Sequence, residues 1–98
     1  MVVEIKNSEG SGIVKISGEI NKIDLTELEE AVEKVSRMDK IVFDLGSVRF
    51  ISSAFINLMF GLRKRNPKLA EKLEFINSKD DFDELFTITH FDKFFRII

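Results

Sequence analysis

The chain has 98 residues, of which 44% are hydrophobic and 33% are charged, a composition typical of one globular domain rather than of a disordered segment. Fifteen basic and 17 acidic residues give a formal net charge of −2, so no overall positive field favours nucleic acid as a partner. The absence of cysteine excludes disulfide bonds and thiolate chemistry.

The first 20 residues are typical of a β-hairpin. Residues 2–6 (VVEIK) alternate as in a strand, residues 12–20 (GIVKISGEI) give a second strand, and NSEGSG supplies the turn between them. The opening MVVEIKNSEG lacks the apolar segment of a signal peptide, and no apolar run approaches the roughly 20 residues that cross a bilayer. We therefore expect a cytoplasmic protein with no membrane partner.

The next segment is predicted to be an amphipathic helix. Asp24 followed by Glu27 resembles a capping box with Asp24 as the cap. Apolar residues follow at spacings of three, four and three, which predicts a helix that runs to about Ser36: Leu25, Leu28, Val32 and Val35.

The middle of the chain predicts a buried strand followed by a second helix. Residues 41–45 (IVFDL) form a short apolar strand, and after Gly46 the connection SVRFI leads into that helix. Ser52 is expected to be its N-cap, with the hydroxyl accepting the N–H of residue 54 or 55. The helix ends at Asn66-Pro67, because the residue before a proline avoids the α conformation.

The remaining residues predict one more strand and one more helix. Residues 73–76 (LEFI) form the strand, and residues 78–86 open a third helix. FDKFFRII then forms a short helical turn and either a final strand or a tail. The order β, β, α, β, α, β, α, with a possible terminal β, predicts one α/β domain over residues 1–98, in which helices pack on a mixed sheet.

The sequence predicts no enzyme, no catalytic residue, no metal site and no cofactor. His90 is the only histidine, and its place near a helix end is typical of a capping or surface side chain. The acidic residues at 80–84 lie where the start of a helix favours negative charge. A Ser-His-Asp triad is formally available, but no nucleophile-elbow pattern accompanies it.

The helix over residues 53–65 has apolar residues on more than one side. Phe55, Leu58, Met59 and Leu62 gather on one face, and Ser53, Asn57 and Lys64 gather opposite, with Ile56 and Phe60 beside them. If the first stripe faces the core, Ile56 and Phe60 are partly exposed next to Ser53; if the second packs inward, Phe55 and Leu58 are left outside. Two interpretations stay open: a protein-binding surface, or a helix that is buried on two sides.

Ser53 is a candidate site of phosphorylation. As the first helical residue after the Ser52 cap, it presents a free hydroxyl at the positive end of the helix, where a phosphate is favoured. The roughly two negative charges of that phosphate would penalise an apolar partner surface. The output of such a switch is affinity rather than catalysis.

Residues 41–65 (IVFDLGSVRFISSAFINLMFGLRKR) closely resemble the core signature of the STAS domain, the fold of bacterial anti-sigma-factor antagonists. The family pattern is an apolar strand ending in Asp-Leu, a connection with an apolar pair, and Asp-Ser-Ser-Gly opening a helix. IVFDL, the pair Phe50-Ile51 and Gly61 match it. Residues 16–21 (ISGEIN) and residues 89–95 (THFDKFF) resemble further family segments, so the resemblance covers essentially the whole chain.

The resemblance implies a STAS fold with a mixed sheet of four to five strands and about three main helices. It implies an antagonist that binds an anti-sigma factor with serine kinase activity and so frees a sigma factor, until phosphorylation of a serine breaks the complex. The alignment places Ser53 on the phosphorylated serine, with Ser52 as the alternative acceptor. The predicted partner-binding residues are Asn21, Lys22, Ser52, Ser53, Ala54, Phe55, Ile56, Asn57 and Phe60, the first two by family position alone. The exposed apolar residues make a monomer or a weak homodimer the expected state.

The chain departs from the family pattern around that serine. Ser52 replaces the aspartate, Ala54 the second serine and Phe55 the glycine, and Asn57 stands where a small residue is usual. Loss of the acidic residue and the bulk of Phe55 favour an alternative: a STAS module that binds another protein or self-associates without being phosphorylated. A further alternative is a domain that binds an apolar ligand or a nucleotide in the cleft between sheet and helices.

Overall fold

The structure, a computed structural model, describes all residues 1–98. Five strands, five α-helices and one 3₁₀ turn follow one another along the chain: β1 (Val2–Ser8), β2 (Ser11–Ile20), the 3₁₀ turn (Lys22–Asp24), α1 (Leu25–Lys34), β3 (Lys40–Ile51), α2 (Ser53–Arg65), α3 (Pro67–Glu71), β4 (Leu73–Ile76), α4 (Asp80–Ile88), α5 (Phe91–Phe94) and β5 (Arg96–Ile97). None of the helices has the length and hydropathy needed to cross a membrane.

The five strands form one mixed sheet in the order of the sequence, β1-β2-β3-β4-β5. β1 and β2 are antiparallel, as a tight turn allows, and the other neighbours are parallel, as connections through helices require. Alternate residues of β2 and β3 are fully buried, such as Val14, Ile16 and Phe43, whereas their neighbours Lys15 and Val42 are only partly buried. One face of the sheet therefore packs against the helices, and the other face, called here the outer face, is more open.

Phenylalanines form the centre of the core, and Phe75 on β4 is the residue that connects them. Its ring stacks on Phe43 with centroids 5.2 Å apart and meets Phe55 and Phe91 edge-on at 6.3 and 5.1 Å. Phe91 stacks in turn on Phe95 at 4.4 Å. These contacts join β3, β4, α2 and α5, so the end of the chain is part of the main core.

Two polar clusters on the outer face hold the later strands in place. Glu74, almost completely buried, pairs with Lys40 and Arg96 at 3.2 Å each, which ties the two-residue β5 to the sheet. Asp44 accepts hydrogen bonds from the Asn77 side chain at 2.9 Å and from the Gly46 N–H at 3.0 Å. Burial alone would raise the pKa of Asp44, but these two hydrogen bonds and the nearby charge of Lys15 bring that pKa below its ordinary value.

Most of the predicted elements are confirmed. The hairpin, the strand over residues 73–76, the end of α2 before Pro67 and the three main helices, α1, α2 and α4, lie where the sequence predicted them. The end of the chain forms a short helix and a two-residue strand, so the sheet has five strands.

Three local predictions were wrong. The connection over residues 47–51 is not a loop but the second half of the 12-residue β3, because it pairs with residues 17–20 of β2 through two register shifts. Helix α1 ends at Lys34 rather than near Ser36. The carboxylate of Asp24 does not cap α1 but accepts the N–H of Asn21 at 2.8 Å, which closes the preceding 3₁₀ turn.

Candidate partner-binding surface

The segments that follow β2 and β3 meet at one end of the sheet. The two strands are parallel there, with Glu19 opposite Phe50 and Ile20 opposite Ile51. The N–H of Ser52 donates to the carbonyl oxygen of Ile20 at 3.0 Å, which brings the start of α2 beside the turn that follows β2. The predicted residues at 21–22 and 52–54 are therefore neighbours in space, although about 30 residues separate them in the sequence.

The turn after β2 presents an exposed isoleucine. Asn21 and Lys22 are exposed, and between them and the helix lies Ile23, whose exposed fraction is 90%. The hydrogen bond from Asn21 to Asp24 and a second one from the Asp24 N–H to the Asn21 carbonyl at 3.0 Å fix this turn. The Ile23 side chain is thus solvent-exposed on a turn whose backbone is fixed by hydrogen bonds.

Ser52 occupies the N-cap position, but its hydroxyl does not cap the helix. Its backbone is extended, with φ −79° and ψ 158°, as a cap requires. The Phe55 N–H donates to the backbone carbonyl of Ser52 at 3.1 Å, while the Ser52 Oγ is buried and has no hydrogen-bond partner. The predicted hydrogen bond from residue 54 or 55 to this hydroxyl was therefore wrong.

Ser53 is the first residue of α2, and it is exposed. The first N–H groups of a helix have no acceptor within it, and the helix dipole is positive at this end. No acidic residue lies in the first turn of α2. The surroundings of the Ser53 hydroxyl therefore suit a negatively charged group.

Two of the predicted partner-binding residues lie in the core. Phe55 is completely buried and Ile56 is 2% exposed, so neither side chain is available to a partner in this conformation, and their predicted role is corrected. Phe55 packs edge-on against Phe75, and Ile56 belongs to the same hydrophobic cluster. The face of α2 that points inward thus includes both residues, because the sheet and the end of the chain cover α2 on two sides.

The other predicted residues of α2 remain at least partly accessible. Ala54 is half-buried and Asn57 is exposed. Phe60 is half-buried, because three rings of the last segment surround it at centroid distances of 5.6 to 5.9 Å: Phe91, Phe94 and Phe95. Phe60 therefore stabilises the α5 contact and exposes only part of its ring.

Sequence reasoning missed two apolar side chains at this surface. Ile23 was not among the predicted residues, and Phe50, which is 46% exposed, was interpreted only as half of an apolar pair. A signal was present for Ile23, since it stands outside the three-four spacing of the apolar residues in α1. With Ser53 they place a free hydroxyl and two exposed hydrophobic groups at one end of the sheet.

The cleft between α1 and α2 lies apart from Ser53. It has a volume of about 330 Å³, an apolar floor that includes Val32, Leu58 and Met59, and charged residues Glu29 and Arg65 at its rim. No group of three or more histidine, cysteine, aspartate or glutamate residues is arranged to hold a metal ion. The small-ligand alternative places its site between the sheet and the helices, whereas no strand residue lines this cleft.

Comparison with known structures identifies the fold. It is similar to the crystal structure of an anti-sigma factor antagonist from Mycobacterium paratuberculosis, with a TM-score of 0.82 and 22% identity over 98% of this chain and 83% of that one. An anti-sigma-factor antagonist (STAS) domain protein from Planctomyces limnophilus gives 0.78 and 14% over 98% and 87%. The Bacillus cell fate determinant SpoIIAA in its phosphorylated form gives 0.71 and 10% over 99% and 91%. At these identities the likeness establishes the fold alone.

Comparison with sequences assigns the family. No curated protein sequence matches the chain. The family model of the STAS domain, in contrast, matches residues 2–98. A match over nearly the whole length, on a five-stranded sheet like that of the anti-sigma factor antagonists, shows that the chain belongs to the STAS domain family.

Proposed function

We propose that this chain is an anti-sigma-factor antagonist of the bacterial cytoplasm. It binds an anti-sigma factor with serine kinase activity through the surface around Ser53, and so frees a sigma factor for transcription. Phosphorylation of Ser53 ends the complex. The observation that carries the proposal is an exposed serine at the start of α2, at the same end of the sheet as the exposed side chains of Ile23 and Phe50.

The physical basis of the switch is a change of charge at an apolar contact. A phosphate on Ser53 is stabilised by the free N–H groups and the dipole of α2, so it costs the isolated chain little. In the complex the same phosphate loses water beside the hydrophobic side chains that the partner covers. Phosphorylation therefore weakens the complex more than it weakens the free protein.

The burial of Phe55 removes one objection to this proposal. Its bulk, where the family pattern has glycine, would obstruct a kinase if the ring pointed outward. The ring packs instead against Phe75 in the core, which leaves the surface beside Ser53 clear. Ser52 in place of the family aspartate still removes a negative charge next to the acceptor, and this favours the alternative of an interaction module that is not phosphorylated.

Intact-mass measurement distinguishes the phosphorylated antagonist from an interaction module that is not phosphorylated. The chain is incubated with ATP and each candidate anti-sigma kinase of the same genome, and complexes are detected in parallel by size-exclusion chromatography. We expect one added phosphate, which Ser53→Ala abolishes and the matched control Ser52→Ala retains, and loss of the complex on phosphorylation. A stable complex without phosphate would leave only the interaction module, and neither phosphate nor complex with any candidate would refute the proposed function.

A further inference from the structure

Strand β1 lies at an edge of the sheet, and one side of its backbone has no partner. It pairs with β2 without a register shift from Val2 opposite Ser17 to Ser8 opposite Ser11. None of the backbone hydrogen bonds outside the regular elements involves residues 2–8. Edge strands are commonly interrupted by proline or a bulge, and β1 has neither over its seven residues.

The charges of β1 are symmetric about its centre and opposite in sign. Ile5 is the middle residue, and Glu4 and Lys6 flank it on the outer face of the sheet. Both charged side chains are exposed, and neither forms an ion pair within the chain, whose salt bridges are confined to Glu74 with Lys40 and Arg96. Such a strand is complementary to a second copy of itself that runs in the opposite direction.

We propose that two copies of this chain associate through antiparallel pairing of their β1 strands about a two-fold axis at Ile5. In this register all seven residues of each strand are paired, and Glu4 of each copy lies opposite Lys6 of the other. The two five-stranded sheets join into one of ten strands, with both helical layers on the same side. This inference is independent of the function proposed for Ser53.

Other registers are less favourable. Along a strand, side chains alternate between the two faces of the sheet, and backbone N–H and C=O groups alternate between its two edges. The register of an antiparallel pair can therefore shift only by two residues at a time. An axis at Glu4 places the Glu4 carboxylates of the two copies opposite each other, and an axis at Lys6 places the two Lys6 ammonium groups opposite each other; both arrangements bring like charges together. Each shift also shortens the paired segment, so the register centred on Ile5 has both the longest ladder and the only fully complementary charges.

The association is expected to be weak and dependent on concentration. Opposite charges across neighbouring strands stabilise pairing only modestly, and exposed ion pairs are screened by salt. The half-buried side chains of Val3 and Ile5, on the helical face, gain further burial against the second copy. Two backbone edges that were bonded to water become paired with each other, which closes the exposed edge of both sheets.

Sedimentation equilibrium of the full chain tests the proposal through its charges. We expect the wild type to rise with concentration from the 11.3 kDa of one chain toward twice that mass. Glu4→Lys and Lys6→Glu should each weaken self-association about tenfold or more, because like charges then face each other twice. An equimolar mixture of the two variants should associate again, since every lysine of one then meets a glutamate of the other.

Two matched variants control for net charge. Asp81→Lys and Lys79→Glu change exposed residues at the start of α4 by the same amounts, and they should leave self-association unchanged. Circular dichroism verifies that every variant is folded. A wild type that stays at the mass of one chain, single variants that associate as the wild type does, or a mixture that does not recover would each overturn the proposal.

Discussion

Gly12 on β2 lies close to Val35 and Met38 in the turn after α1, and it offers a sharp test of the packing. A Cβ added there would lie 2.6 Å from the Cβ and 2.8 Å from the Cγ1 of Val35, and 3.2 Å from the Cγ of Met38. Carbon atoms pack best at about 3.5–4.0 Å. The φ angle of Gly12 is not positive, so the obstacle to a side chain is packing and not backbone conformation.

We expect Gly12→Ala to lower the free energy of unfolding by about 1–3 kcal/mol, the usual cost of overpacking a core. Val35→Ala removes the Cγ1 methyl group that would lie 2.8 Å away and keeps the Cβ, which is then free to shift away from residue 12; by itself Val35→Ala leaves a cavity at a fully buried site and costs about 2 kcal/mol. In the double variant the new methyl group of residue 12 occupies part of that cavity. The double variant should therefore be more stable than the sum of the single effects predicts, by about 1–2 kcal/mol.

Urea unfolding followed by circular dichroism measures the free energy of unfolding of the wild type, the two single variants and the double variant. Gly61→Ala is the matched control: a Cβ there would meet only the Nη1 of Arg65, at 3.4 Å, so the substitution should stabilise α2 by up to about 1 kcal/mol. If Gly12→Ala is as stable as the wild type, or if the effects of Gly12→Ala and Val35→Ala simply add, the close contact between β2 and the turn after α1 is refuted.

Three further predictions follow from the site and the outer face. Ser52→Ala should change the free energy of unfolding by less than about 0.5 kcal/mol, because the Ser52 hydroxyl makes no hydrogen bond, whereas losing an N-cap usually costs about 1 kcal/mol. A urea midpoint far below that of the wild type would contradict this. Ile23→Ser should weaken partner binding by about ten- to a hundredfold in titration calorimetry, since burying a whole isoleucine contributes about 1.5–3 kcal/mol. The control Ile88→Ser, at a position 69% exposed on α4, should bind normally, and equal losses in both variants would show that the surface lies elsewhere. The pKa of Asp44 is lower in the folded chain than in the unfolded one, so the stabilisation that the Asp44 carboxylate contributes is present above about pH 4 and is lost as the pH falls through the folded pKa. Asn77→Ala removes one cause of the shift, so this variant should lose less stability between about pH 6 and pH 3 than the wild type. Parallel curves of unfolding free energy against pH would refute the assignment.

The order of elements was predictable because it depends on short segments. The spacing of Leu25, Leu28 and Val32 indicates α1 without reference to any other part of the chain, and Pro67 ends α2 through its own backbone. The family resemblance rested on equally local patterns, such as the strand over residues 41–45. The second half of β3 was missed, because residues 47–51 are a strand only through their pairing with β2, about 30 residues away.

The candidate site was predictable in part for the same reason. The start of α2, and hence the exposure of Ser53, follows from the two serines and the apolar run after them. The exposure of the Phe50 ring was not identified, because nothing near it in the sequence shows that no other segment covers it. Ile23 was overlooked although it stands outside the apolar spacing of α1. The face of α2 was likewise undecided until α5 was seen to pack on Phe60.

The sequence by itself determined the α/β class, the positions of the three main helices and the serine at the start of α2, since periodicity, caps and breakers act within a few residues. Only the tertiary structure decided that Phe55 and Ile56 are buried, that the Ser52 hydroxyl has no partner and that β1 is left with a free edge. Burial and pairing depend on which distant segments reach a residue, and that is a property of the assembled sheet and its helices.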